Sequence, residues 1–120
     1  MLQIALVFLG GGLGSLCRYG IARMLSSQAF QFPLATLLAN IISCIVLGFC
    51  TGLLLRDGIS MSARLLIMTG FCGGFSTFST FTGETFLLMQ EGQHLLALLN
   101  IAGSILICLV CFYLGVVWAK

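Results

Sequence analysis

Uncharged, mostly apolar positions fall in four runs along the chain, Leu2–Cys17, Met24–Leu55, Leu65–Gly83 and Leu95–Ala119. A helix crossing the hydrocarbon core of a bilayer needs roughly 20 such residues. The pattern therefore predicts four spans, at about 2–24, 33–55, 62–90 and 95–118, forming one integral membrane domain over residues 1–120. Polar clusters separate them. Ser26-Ser27-Gln28 with Gln31 makes the first loop, Arg56-Asp57-Gly58 a turn, and Glu91-Gly92-Gln93-His94 the third loop. Pro33 opens the second span in the first turn, where a missing N–H costs least. Ser60 or Ser62 caps the third helix, and Trp118 and Lys120 anchor the end of the fourth at the interface.

The third run departs from an ordinary lipid-facing helix. Gly70-Phe71-Cys72-Gly73-Gly74 is followed by a three-residue repeat, Phe75-Ser76-Thr77, Phe78-Ser79-Thr80, Phe81-Thr82. At 3.6 residues per turn, a period of three lays Phe, Ser and Thr in adjacent, slowly winding stripes. The glycines weaken the helix and predict a break near Gly73, within Gly73–Ser76. Unwound backbone at membrane depth is tolerated only where protein buries it or where it lines a cavity. The segment reads as the wall of a polar pathway.

The other spans carry narrower stripes of small or polar residues at helical spacing. They are Gly11, Gly14 and Arg18 in the first, Thr36, Asn40, Ser43, Cys44 and Gly48 in the second, and Asn100, Ser104, Cys108 and Gly115 in the fourth. Close helix contact accounts for the glycines. It accounts less well for Asn40, Asn100 and Ser104, whose polar groups need partners away from water. Four such stripes together suggest a shared polar route.

Composition agrees. Of 120 residues, 60% are hydrophobic and 7% charged, as in an integral membrane protein rather than a soluble domain. The first run lacks a basic leader and a small-residue cleavage site, so it is expected to be a span and not a removable signal. A net charge of +2 is too small to suggest nucleic acid as a partner. The six cysteines all lie in predicted spans and read as small buried hydrophobes. His94 is the single histidine, so no Cys/His cluster has metal-ligand spacing. Gly10-Gly11-Gly12-Leu13-Gly14 lacks the strand and the Gly-Lys-Ser/Thr ending of a phosphate loop, and no enzyme signature is present.

A few residues can carry chemistry. Arg18 shares a stripe with the glycines, and ionisable groups inside spans usually mark ion or substrate paths. Arg23, a turn further out, suits headgroup contact. Glu84 is either a proton-coupled carboxylate or an end-of-helix residue. Phe78 and Phe81 share one helix face, flanked by the hydroxyls of Ser76, Ser79, Thr82, Thr77 and Thr80, which offer O–H donors. An aromatic ring has a positive edge. Ring edges and hydroxyl donors together can host a small anion without a fixed cation, which would hold it too tightly for fast passage. The carbonyls freed by the Gly73–Ser76 break act in the opposite sense, as acceptors for a cation.

With these residues in view, the chain resembles the Fluc (CrcB) family of fluoride ion channels over essentially its whole length. The resemblance rests on Gly10-Gly11-Gly12-x-Gly14-Ser15-x-x-Arg18-Tyr19, on Pro33-x-x-Thr36-Leu37-x-x-Asn40, and above all on Gly70-Phe71-Cys72-Gly73-Gly74-x-Ser76-Thr77-Phe78-Ser79-Thr80-Phe81. Gln90-Glu91-Gly92 and Leu98-Leu99-Asn100 add to it. It implies an all-α membrane protein with four transmembrane helices per subunit, a broken third helix, and an antiparallel, dual-topology homodimer enclosing two fluoride pores. It implies a fluoride pathway of Asn40 at a vestibule, Phe78 and Phe81 as aromatic sites, Ser104 on a polar track and Glu84 near a pore mouth, with Thr36, Thr80 and Arg18 alongside. It further implies a structural sodium ion (Na+) held by the backbone carbonyls of Gly73 and Ser76 from both subunits. Passive export of cytoplasmic fluoride, relieving its toxicity, would take place in the bacterial inner membrane. Two positions depart from the family pattern: Ser76 stands where threonine is common, and Cys108 where a polar-track serine can occur.

Two other classes fit a chain of this size. A small dual-topology multidrug or cation exchanger needs a membrane-embedded carboxylate in its first span, where this chain has Arg18 and no acid. A non-transporting membrane scaffold would use the Asn and Ser stripes only as helix glue.

Overall fold

The computed structural model describes residues 1–27 and 31–120. Gln28 of the expected first loop lies outside the described residues. The described chain is helical: α1 (Leu2–Leu25), α2 (Leu34–Leu54), α3 (Met61–Ala63), a π-helical segment (Arg64–Cys72), α4 (Gly73–Phe75), α5 (Phe78–Gln90) and α6 (His94–Trp118). Four stretches among the described residues are long and apolar enough to cross a membrane: Leu2–Leu25, Leu34–Leu54, Met61–Gln90 and His94–Trp118. The protein is thus an all-helical, multi-pass membrane protein. Its long axis of 48 Å is close to the ~40–45 Å of a bilayer with its headgroups. Its outward surface carries bare Leu, Ile, Phe and Val side chains such as Phe8, Leu16, Leu95 and Leu106, which in this setting face lipid.

The ends follow from local chemistry. Pro33 sits at the N-cap of α2, and Ser60 caps α3 by accepting from the Ala63 N–H at 3.2 Å. After α2 the chain turns at Asp57, which has a positive φ of 55°, while the Gly58 N–H donates back to Leu53 O at 2.9 Å. Gly92, at φ 75°, makes the same kind of stop after α5, with Gln93 N–H donating to Leu88 O at 2.8 Å. Both are helix ends of the Schellman type, in which a left-handed residue lets the last carbonyls find donors. Arg56 Nη1 donates to Ala119 O at 3.1 Å, tying the α2–α3 turn to the end of α6 on one side of the bundle.

The helices pair in two parallel couples, α1 with the third span and α2 with α6. Both rest on backbone-to-backbone approach at glycines. A Cβ on Gly10 would stand 2.1 Å from Leu66 O, and one on Gly14 2.2 Å from Phe71 O. A Cβ on Gly48 would stand 2.1 Å from Phe112 O, and one on Gly115 2.4 Å from Ile45 O. Lipid tails do not drive apolar faces together, so such close approach supplies the dispersion contact that holds the pairs. In α1 the buried contacts are Gly10 and Gly14; Gly11 meets the third span through its own carbonyl, beside Gly74.

The third span is broken at Ser76–Thr77, the C-terminal end of the stretch expected to unwind. Gly73 itself is helical (φ −64°, ψ −35°), whereas Ser76 and Thr77 are extended, with ψ of 157° and 121°. The break follows from capping more than from glycine. Thr77 is the N-cap of α5, its Oγ1 accepting from the Thr80 N–H at 3.2 Å, as Ser and Thr do at helix starts. The π-helical turns before it were not foreseen. Such turns concentrate at functional sites, and here they carry Gly70, whose missing Cβ leaves room for Gly10.

Candidate functional site

Asn40 holds the break open. From the second turn of α2, its Oδ1 accepts from the Thr77 N–H at 2.8 Å, and its Nδ2 donates to Thr77 O at 3.3 Å. A side-chain amide thus takes the place of a helical neighbour for Thr77. A buried backbone group left without such a partner costs about 1–3 kcal/mol. The helix is unlatched at two carbonyls in consequence. In a continuous helix the Thr77 N–H would close on Gly73 O and the Thr80 N–H on Ser76 O. The first donates to Asn40 and the second to Thr77 Oγ1, which frees both carbonyls. Cys72 O, one residue earlier, accepts from the Ser76 N–H (3.0 Å), Ser76 Oγ (2.8 Å) and Ser43 Oγ (3.2 Å).

Two cavities line up along α2. A cavity of about 280 Å³ is bordered by Ser15, Arg18, Tyr19, Thr36, Thr80 and Glu84, among others. A second, of about 240 Å³, is bordered by Asn40, Cys44, Ser76, Thr77, Phe78, Phe81, Ser104 and Cys108. Thr36, Asn40 and Cys44 succeed one another by one turn down α2, so the first cavity lies nearer the helix ends and the second deeper. The eight residues expected along a pathway fall four to each: Arg18, Thr36, Thr80 and Glu84 in the outer cavity, Asn40, Phe78, Phe81 and Ser104 in the inner.

The Phe78 and Phe81 rings stand 5.6 Å apart between centroids, tilted by 36°. Phe81 is half-buried, but Phe78 is 78% exposed on the single subunit. Ser104 Oγ donates to Asn100 Oδ1 at 3.3 Å, and Asn100 Nδ2 donates to Thr85 Oγ1 at 2.8 Å. This chain ties α6 to α5 behind the cavity. Asn100, 1% exposed, serves as an inter-helix clamp and does not border either cavity. Glu84 Oε1 accepts from Thr36 Oγ1 at 2.8 Å, while its Oε2 is buried without a partner. Burying a carboxylate oxygen unpaired is costly, so this atom points to an occupant or a proton beside the outer cavity. Thr77 and Cys44 also border the inner cavity; the sequence places Thr77 among the hydroxyl donors beside the rings and Cys44 in the polar stripe of the second span, but neither among the eight pathway residues. For Thr77 the signal was its place as the last hydroxyl before a helix start; for Cys44 it was the four-residue spacing from Asn40.

Comparison with known proteins accounts for this combination. Residues 5–116 match the family model described as CrcB-like protein, Camphor Resistance (CrcB). Over 116 residues the chain is 45% identical to the fluoride-specific ion channel FluC of Pyrococcus abyssi, covering 96% of this chain and 94% of that one. It is 41% identical over 119 residues to the FluC of Chlorobium chlorochromatii, covering 98% and 92%. It is 35% identical over 121 residues to that of Parabacteroides distasonis, covering 100% and 94%. Four spans, a third helix broken beside an aromatic pair, and similarity along nearly its whole length agree: the chain belongs to the CrcB family.

Proposed function

We infer that this protein is a passive, fluoride-selective ion channel that lets fluoride leave the cell and so relieves its toxicity. The observation that carries this is the inner cavity, where the paired Phe78 and Phe81 rings adjoin Ser76, Thr77 and Ser104, in a chain whose CrcB relatives bear the name fluoride-specific ion channel. Fluoride is small and strongly hydrated, so a pathway must replace its water. Hydroxyl donors do so directly, and the positive ring edges of Phe78 and Phe81 add attraction without a fixed charge. Arg18 raises anion concentration in the outer cavity, upstream of the rings. Asn40 keeps the break open, and its second Nδ2 hydrogen remains a donor. Nothing is made or broken; the polar groups bind an ion and release it.

The driving force lies in the membrane. Hydrogen fluoride, a neutral weak acid, crosses lipid and ionises in a more alkaline cytoplasm. A passive anion route then allows the potential to expel fluoride, at about 2.3 kcal/mol per charge per 100 mV. This places the protein in the plasma membrane, the bacterial inner membrane. The test is flux from liposomes loaded with both halides, with potassium ionophore present to remove charge build-up. Fluoride should leave at least tenfold faster than chloride. Efflux no faster than from protein-free liposomes would reject the channel.

The complete pathway takes two copies in opposite orientations. Phe78, open on one subunit, needs a second chain to wall it off from lipid. The same contact provides for the orphan carbonyls. Gly73 O and Ser76 O lack their helical donors, and a Cβ on Gly73 would meet nothing within 4 Å, so the surface there is open. Carbonyl oxygens are hard ligands suited to a hard cation. They fit a sodium ion, which when bound supplies positive charge where the two broken helices meet. Because backbone atoms are the ligands, Ser76→Thr should leave fluoride flux within about twofold of the parent. A tenfold loss with the dimer intact, read by flux and size-exclusion chromatography on one preparation, would remove the carbonyl site.

A further inference from the structure

Gly48 packs on Phe112, and Gly52, one turn on, packs on Val116. The parallel helices α2 and α6 therefore keep a constant register through this contact. One turn back, that register sets Cys44 opposite Cys108; two turns back, it sets Asn40 opposite Ser104. All four residues border the inner cavity. Both residues are half-buried and free of disulfides. Cys108 is also where this chain departs from the serine that the family pattern allows. A pair of sulfurs from two helices thus stands in the wall of the cavity, one turn below the Asn40–Ser104 pair.

We propose that Cys44 and Cys108 form a two-thiol site for a soft, two-coordinate cation of the cuprous, silver or mercuric kind, and that an ion bound there closes the pathway. Soft sulfur ligands select such ions over hard ones. Among the described residues no group of three or more His, Cys, Asp or Glu is placed to hold a metal. That excludes a closed tetrahedral zinc site and leaves linear S–metal–S coordination, which needs only two facing sulfurs. For a mercuric ion each thiol releases its proton to solvent as its S–metal bond forms, giving a neutral bis-thiolate and two protons. Closure has two causes. The bound ion occupies space beside Phe78 and Phe81, and it removes both S–H donors from the wall. Fluoride, a hard ligand, does not compete with the thiols for such an ion.

The closure rests on the inner cavity being the fluoride route; the metal site does not. The experiment uses full-length protein in liposomes and mercuric nitrate as the probe, in chloride-free buffer. Mercuric ion should lower fluoride efflux at least tenfold, and excess dithiothreitol should restore it. With each variant normalised to its own uninhibited flux, Cys44→Ser and Cys108→Ser should each raise the half-blocking concentration at least tenfold. The double variant should be no less sensitive than either single, because one sulfur alone does not make the site. In detergent, the ultraviolet sulfur-to-mercury band should fall by the same amount in both single variants. An unchanged band in the double variant overturns the two-thiol site. Block of the double variant at the parent's concentration overturns closure through this pair. A band lost as expected from the double variant, with no block of the parent, upholds the metal site and overturns the placement of the fluoride route.

Discussion

Replacing Phe78 or Phe81 with isoleucine should lower fluoride flux by about ten- to a hundredfold while leaving dimer assembly intact. The substitution keeps an apolar wall of similar bulk and removes the ring and its positive edge. If ring edges stand in for the water that fluoride sheds, losing one removes a binding site from the narrow part of the route. A loss of about 1.4 kcal/mol corresponds to tenfold. The two positions should not respond identically in the isolated subunit. Phe81 is half-buried, so its exchange alters packing within one chain, whereas Phe78 projects from the surface at 78% exposure and 5.6 Å from Phe81. In the separated subunit Phe78→Ile should therefore leave thermal stability nearly unchanged, and Phe81→Ile should lower it by about 1 kcal/mol, within the usual range for conservative core swaps. Flux by fluoride electrode and melting by tryptophan fluorescence separate the two effects. Both variants forming dimers and conducting like the parent would disprove an aromatic fluoride site.

The four spans were legible because each is a long, mostly apolar run, and length with apolar character is what membrane crossing requires. The existence of a break in the third span was legible from Gly73, Gly74 and the hydroxyl repeat. Its place at Ser76–Thr77 was not, because it is set by a long-range contact. Asn40 takes the Thr77 N–H, and nothing near Thr77 in sequence shows that an amide from α2 will arrive there. The π-helical turns over Arg64–Cys72 were hidden for a related reason: no local residue preference marks them, and they accompany the close packing of Gly70 on Gly10. The glycine stripe of α1 was recognised as a contact face, but its centre lies at Gly10 and Gly14, with Gly11 to one side. Of the polar stripes, Asn40 and Ser104 reach a cavity while Asn100 is spent holding Ser104 and Thr85. Helical spacing puts such residues on one face; only the crossing of helices decides which end in a cavity. The Cys44–Cys108 pairing needed the register of α2 on α6, which the spacing within either helix does not contain.

A chain biased toward one orientation should lose fluoride transport by itself, and regain it with an oppositely biased partner. Four spans put the N-terminus, the α2–α3 turn and the C-terminus on one side of the membrane. The contact of Arg56 with Ala119 joins two of those three in the fold. That side carries Arg56, Arg64 and Lys120; the other carries Arg18 and Arg23. Orientation follows the Lys/Arg imbalance across the membrane, and three against two is nearly none. Insertion senses these charges before packing is complete, so Arg18 counts even though it comes to border a cavity. Such a chain should insert both ways, which would allow a twofold axis in the membrane plane to bring two Ser76–Thr77 breaks together. Met61→Lys with Ser62→Lys, both at exposed positions, makes the balance five against two. Ser27→Lys with Gln90→Lys and Arg64→Gln makes it two against four, again by changes at or near the helix ends. Each set alone should reduce flux to the level of empty liposomes, and expressing both together should restore at least half of it. The readouts are fluoride efflux and orientation-specific labelling of a single introduced cysteine in a variant otherwise free of exposed thiols. Normal conduction by either biased set alone, with labelling from one side only, would refute the antiparallel pair. The open face of Phe78 would then have to be covered by a parallel copy or by lipid.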